Sequence, residues 1–139
     1  MGTSAANKAA VIRFNKEFIE NGNMNSFDEI ISKDFINHTA PENVPKGPEG
    51  VLYFFNHFLK PAFPDLKVDI LDQVSEGEKV TTRKTFTGTH AGSFLGIPPT
   101  HKKIVMDVID IIKLRDGKFI EHWNVLDWQS VLHQLSNEY

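Results

Sequence analysis

Two periodicities divide the chain. Over Asn7–Gly22 the apolar residues Ala10, Val11, Phe14, Phe18 and Ile19 recur at three- and four-residue spacing, which predicts a helix with one buried stripe. Asn21-Gly22-Asn23 supplies its stop, because Gly and Asn tolerate the left-handed backbone. Ser26 followed by Glu29 reads as a capping box for a short helix over Phe27–Ser32. Asp34–Thr39 is too short to classify. Gly47-Pro48 starts a third helix with Leu52, Phe55 and Leu59 on one face, and Pro61 and Pro64 end it.

From residue 65 the period changes to two. Leu66, Val68 and Ile70 alternate with Lys67, Asp69 and Leu71, and Glu76-Gly77-Glu78 is a turn. Lys79–His90 is rich in β-branched residues, which strands favour. Lys103–Leu114 and Lys118–Leu126 flank Asp116-Gly117, a strong hairpin signal. A last helix, Trp128–Leu135, carries Val131 and Leu135 on one stripe. Helices followed by a meander of long strands predict an α+β fold, with a curved sheet wrapped by the helices into a cup.

The last hairpin carries a chemical anomaly. The even positions of Lys103–Leu114 are Ile104, Met106, Val108, Asp110, Ile112 and Leu114: one carboxylate on an apolar face. On the next strand Ile120, His122, Asn124 and Leu126 share one face, and Phe119, Glu121, Trp123 and Val125 share the other. A two-residue loop sets Asp110 opposite Trp123. A three-residue loop, Arg115-Asp116-Gly117, sets it opposite His122, with Val108 opposite Asn124. An unpartnered buried carboxylate costs several kcal/mol, and a facing imidazolium offsets part of that. The three-residue loop is therefore expected, bringing Asp110, His122 and Asn124 together as candidate catalytic residues.

A carboxylate facing an imidazole can take a proton from carbon beside a carbonyl, and Asn124 can donate to the enolate oxygen. A structural Asp–His bridge is the other reading. Asn37 and His38 lie in a polar stretch suited to the mouth of the cup. His90 precedes the Gly- and Pro-rich loop Ala91–Thr100 and is a candidate rim residue. Phe55, Phe86, Val108 and Trp123 complete the candidate substrate-binding set, although Phe86 and Met106 also read as ordinary core. His57, His101 and His133 read as surface residues.

Composition narrows the function classes. The chain has 139 residues and no cysteine, which excludes disulfides, thiolate metal sites and thiol nucleophiles. That length predicts a single domain (residues 1–139, with a structured core over about 7–135). A net charge of −3 argues against nucleic acid or a membrane surface as partner. No histidine pair has the spacing of a zinc helix, and no phosphate-binding glycine loop or nucleophile elbow is present, so neither metal nor cofactor is expected. The start lacks a signal-peptide pattern, and Gly2 is not followed by the Ser or Thr at position 6 that myristoylation favours. A cytoplasmic location is expected. Val105, Ile109, Ile111 and Trp123 make the outer sheet face too apolar for open solvent, which predicts a homodimer or higher homo-oligomer through the sheet.

Six stretches in order carry a family resemblance: Asp34-Phe35-Ile36-Asn37-His38, Gly47-Pro48-Glu49-Gly50, Ala62-Phe63-Pro64-Asp65-Leu66, Gly88-Thr89-His90-Ala91-Gly92, Gly96-Ile97-Pro98-Pro99-Thr100 and Asp116 to Trp123. Together they resemble the SnoaL-like polyketide (ester) cyclases of the nuclear transport factor 2-like superfamily. The resemblance spans about Asn7 to Leu135. It implies a cone-shaped α+β barrel with a deep apolar pocket, oligomeric through the sheet. It also implies ring closure of an aromatic polyketide ester by intramolecular aldol chemistry without cofactor or metal. The family's catalytic aspartate falls on Asn124, its pocket histidine on Asp110 and its pocket asparagine on Asn37. Asn124 cannot take a proton from carbon. Either the base has moved across the hairpin to Asp110, which keeps an acid/base enzyme, or the pocket only binds a small ligand or a protein. Hydrolysis or isomerisation in the same pocket is a further alternative.

Overall fold

The computed structural model describes residues 3–136, so Gly2 lies outside the described residues. The first helix, α1 (Ser4–Arg13), is capped by the Thr3 hydroxyl and runs on with wider π-helical winding over Phe14–Glu20. It stops at Gly22, whose φ is +68°. The second helix, α2 (Met24–Ile30), starts earlier than the capping-box reading predicts. Asn23 is its cap, accepting from the Asn25 and Ser26 amides, and the Ser26 hydroxyl donates to Glu17 instead. The third, α3 (Pro48–Phe54), continues through a π-wound Phe55–Leu59 and a last turn at Lys60–Ala62, so Pro61 does not end it.

The strands are β1 (Ile31–Asn37), β2 (Lys67–Glu76), β3 (Lys79–Thr89), β4 (Lys103–Arg115) and β5 (Lys118–Leu126). The unclassified stretch is thus β1, which takes over residues expected to finish α2. Its partner is β5, in parallel, and a parallel edge strand joined through a distant partner leaves no local hairpin signal. The curved, unclosed sheet has the order β1-β5-β4-β3-β2 and is antiparallel apart from β1. The C-terminal helix (Trp128–Ser136) buries Val131 and Leu135 as expected.

The helices cover the concave face. Phe14, Phe18, Phe27 and Phe55 form tilted ring pairs at centroid separations of 4.8–6.4 Å, and Phe14 lies 5.0 Å from Phe119 of β5. Val80, Phe86, Ile104, Met106, Ile112 and Leu114 supply the sheet's side of the core. Alternation along β4 is unbroken, with every even residue from Ile104 to Leu114 buried.

Register in the last hairpin differs from expectation. Arg115 pairs with Lys118, so the loop has two residues, Asp116 and Gly117, both at positive φ (54° and 77°) as a type I′ turn requires. Phe119 pairs with Leu114 and is buried, which separates it from Trp123. Ile120 is then an extra residue between the Leu114–Phe119 and Lys113–Glu121 pairs, and this bulge flips the parity of everything after it. His122, Asn124 and Leu126 consequently share the cavity side with Asp110. Asp110 stands opposite Asn124, His122 opposite Ile112, and Val108 opposite Leu126. The bulge meets two demands that an unbulged hairpin cannot: Phe119 needs burial, and so does the layer around Asp110.

Candidate active site

A cavity of about 350 Å³ lies between the helices and the concave sheet face. Phe18, Phe35, Phe54, Phe86, Val108 and Trp128 are among its walls, and Asn15, Lys84, Asp110 and His122 bring polar groups to it. Asn37, Thr39, Pro41 and Val44, from β1 and the loop after it, also line it.

The polar groups form a connected line. Asn15, on the π-wound part of the first helix, donates through Nδ2 to the Val11 carbonyl at 2.8 Å, which turns its Oδ1 away. Lys84 Nζ donates to that oxygen at 2.7 Å and lies 2.8 Å from Asp110 Oδ2. Both charged side chains are about 95% buried, at 5% and 4% relative exposure. Asp110 Oδ1 is also buried and accepts no hydrogen bond among the described residues. His122 Nε2 stands 4.0 Å from Asp110 Oδ2, beyond hydrogen-bond reach, with its ring stacked on Phe35.

The expected imidazolium is therefore replaced. Burial pushes the His122 pKa down to about 4; Asp110 opposes that shift and Lys84 reinforces it. His122 is neutral at pH 7, and Asp110's counter-ion is Lys84. Nothing in the reading above singled out Lys84. Its signal was available: by the two-residue period it shares a face with Val80, Thr82 and Phe86, a lysine on an apolar side. Asn15 likewise falls on the buried stripe, one helical turn from Val11.

Asn124 is held by Thr39, whose hydroxyl donates to its Oδ1 at 2.7 Å and accepts from its backbone N–H at 2.9 Å. With Oδ1 engaged, the Asn124 side-chain amide keeps its N–H groups for another partner. Asn37 lies beside this pair and opposite His122. Asp110, His122, Asn124, Asn37, Val108, Phe55 and Phe86 thus line one cavity.

His38, Trp123 and His90 do not line it. His38 stacks on Trp123 with centroids 4.8 Å apart and contacts Glu121 at 2.8 Å, holding that carboxyl below its usual pKa. Parity explains this, because Glu121 and Trp123 lie on the face away from Asp110. His90 is fully buried. Its Nδ1 accepts from the Thr100 amide at 3.1 Å and contacts the Thr100 hydroxyl at 2.9 Å, so it clamps the Ala91–Thr100 loop. His57, His101 and His133 are exposed as expected. Among the described residues no cluster of three or more His, Asp or Glu side chains is placed to hold a metal ion. Nor is any described helix long and apolar enough to cross a membrane.

Helices laid over the concave face of a curved sheet, with Asn15, Lys84, Asp110 and His122 at the wall of the cavity between them, define an α+β pocket fold, and comparison with known proteins narrows it. Residues 9–135 match the family model of the SnoaL-like polyketide cyclases, and the chain belongs to that family, with its nuclear transport factor 2-like fold. It is 23% identical over 117 residues to nogalonic acid methyl ester cyclase of Streptomyces nogalater, covering 84% of this chain and 87% of the relative. Similarity to aklanonic acid methyl ester cyclase DnrD of Streptomyces peucetius is 26% identity over 128 residues, 90% of this chain and 88% of the relative. The solved structure of wild-type IdmH from Streptomyces antibioticus superposes with a TM-score of 0.85 at 28% identity, covering 94% of this chain and 99% of that one.

Proposed function

We propose that this chain, acting as one domain, is a cyclase-type enzyme performing cofactor-free acid/base chemistry on an apolar carbonyl compound bound in the cavity. The observation that carries the reading is Asp110: a buried carboxylate at the cavity wall whose Oδ1 has no partner among the described residues. Asp110 takes the base role that Asn124 cannot fill. Oδ1 accepts a proton from a carbon beside a carbonyl. The enolate oxygen receives hydrogen bonds from the Asn124 amide and from neutral His122, a donor that needs no proton loss. The enolate carbon then attacks a second carbonyl carbon of the same molecule, a C–C bond forms, and the resulting alkoxide takes the proton back from Asp110. Atoms and charge balance, and no group leaves.

The names of the curated relatives support aromatic polyketide methyl esters as the first compounds to test. Wild-type protein and Asp110→Asn are incubated with such esters, simpler β-keto esters and enones, and products are read by mass spectrometry and chromatography. Ring closure leaves the mass unchanged and moves the retention time, and only the wild type is expected to do it. Equal turnover by Asp110→Asn overturns the role of Asp110.

A second reading is favoured by one specific feature: the 2.8 Å Lys84–Asp110 pair, which a purely structural charge pair would also make. On that reading the cavity binds without converting, and the esters raise the melting temperature with no product from either protein. Self-association through the outer sheet face is proposed alongside, supported by the exposure of Val105, Ile109 and Val125 at 49%, 48% and 74%. A monomer by light scattering at micromolar concentration excludes it.

A further inference from the structure

We propose that Lys84 is the positioning residue of this site: it occupies Asp110 Oδ2, leaves Oδ1 alone to meet the substrate, and keeps His122 from pairing with Asp110. The proposal rests on the reading above and adds a residue to it.

Lys84 has three N–H donors and three neighbours. Asp110 Oδ2 lies 2.8 Å away, Asn15 Oδ1 2.7 Å away, and the Phe86 ring centroid 5.2 Å away. Two of its three N–H groups are engaged by these oxygens and one of the two is the Asp110 carboxylate, so its effect on the reaction runs through Asp110. Asn15 holds it in that geometry, because its own Nδ2 is committed to the Val11 carbonyl. Among the described residues the buried layer offers one carboxylate, and two groups are placed to neutralise it. The cation at 2.8 Å holds it, and the imidazole at 4.0 Å is left neutral. Were His122 the counter-ion, the imidazolium would bind Asp110 directly and no neutral N–H would be free for an enolate oxygen.

The charged groups acting on His122 are Asp110 from β4 and Lys84 from β3, and the Phe35 ring faces it from β1. Removing the lysine charge therefore removes an influence that keeps the imidazole neutral and leaves Asp110's attraction unopposed. The test is the His122 imidazole titration, followed by NMR in the ligand-free full chain. Wild type should titrate below about pH 5, Lys84→Met at least about one unit higher, and Lys84→Arg close to wild type because the cation is kept. A Lys84→Met midpoint equal to wild type overturns the proposal. If Lys84→Met does not fold, Lys84→Gln, which keeps a polar group beside Asn15 and removes the charge, supplies the same comparison, and a His122 midpoint equal to wild type overturns the proposal.

Turnover supplies the second readout, on whichever carbonyl compound the wild type converts. Lys84→Met should lose at least about 100-fold in kcat with KM little changed, and Lys84→Arg should recover part of it. Full kcat in Lys84→Met, beside an inactive Asp110→Asn, overturns the role of Lys84 and leaves the proposed function standing. No turnover by wild type fails the proposed function, and the titration still decides the placement of Lys84.

Discussion

Lowering the pH from 7 to about 4.5 protonates the His122 imidazole in the unfolded chain before it does so in the folded one, and the difference is a loss of stability. The folded pKa is about 4 against an ordinary 6.5, and burial is the main cause. The folded value is the lower one, so the unfolded state binds the extra proton across that window and stability falls as pH falls. At 1.36 kcal/mol per unit the full effect is roughly 3 kcal/mol, of which about 2 kcal/mol is developed by pH 4.5. Glu17, Glu20, Asp65, Glu78 and Glu121 are also held below their ordinary pKa values and lose stability in acid, so wild type alone is not diagnostic. The comparison is with His122→Phe, which cannot titrate and keeps a ring against Phe35. Urea unfolding of both proteins at about pH 7, 5.5 and 4.5 gives two stability curves. The gap between them should move by about 2 kcal/mol in the variant's favour between the ends of the range. Parallel curves would refute the assignment of a buried, neutral His122.

Three other perturbations probe the same structure. Asp110→Leu strands the Lys84 ammonium and should cost about 3–5 kcal/mol in denaturant unfolding, whereas Asp110→Leu combined with Lys84→Met should recover most of that loss. Gly50 packs so closely against the preceding loop that an added Cβ would sit 1.8 Å from the Pro45 carbonyl oxygen. Gly50→Ala should therefore lower the melting temperature and disturb the mouth of the cavity, and an unchanged melt with unchanged ligand binding would contradict the packing there. Ile109→Lys with Val125→Lys puts charge on the outer sheet face, and light scattering should report a smaller species than wild type at equal concentration.

Much of the fold was legible locally because it rests on short-range rules. The stripe from Ala10 to Ile19, Pro48 at a helix start and Asp116-Gly117 at a hairpin tip each act within one or two turns of chain. The alternation around Asp110 correctly identified the buried face of β4, since a side-chain period of two needs no knowledge of the partner strand. The register did not follow from the same reasoning. Matching Asp110 to His122 assumed one uniform parity along β5, whereas Phe119 and His122 both face inward and only the Ile120 bulge reconciles them. Strand β1 was invisible for a related reason: its partner lies some 85 positions away in the chain, and Asn37 meets His122 only in the folded sheet. The family resemblance matched the fold, because six weak motifs in order constrain a fold more tightly than any one constrains a residue, and the three positions it named, Asn37, Asp110 and Asn124, line one cavity.

Chain pattern alone thus predicts an α+β cup with Asp110, His122 and Asn124 on its inner wall, and the cone shape is what the family resemblance implies. The identity of Asp110's counter-ion came from packing. Lys84 and Asn15 sit 26 and 95 residues before Asp110, on a strand and a helix that meet only across the core. A carboxylate buried there takes as its partner whichever cation the fold brings within 3 Å. Periodicity names the face on which a side chain lies, but the distance between two side chains on that face depends on bulge, twist and helix placement together.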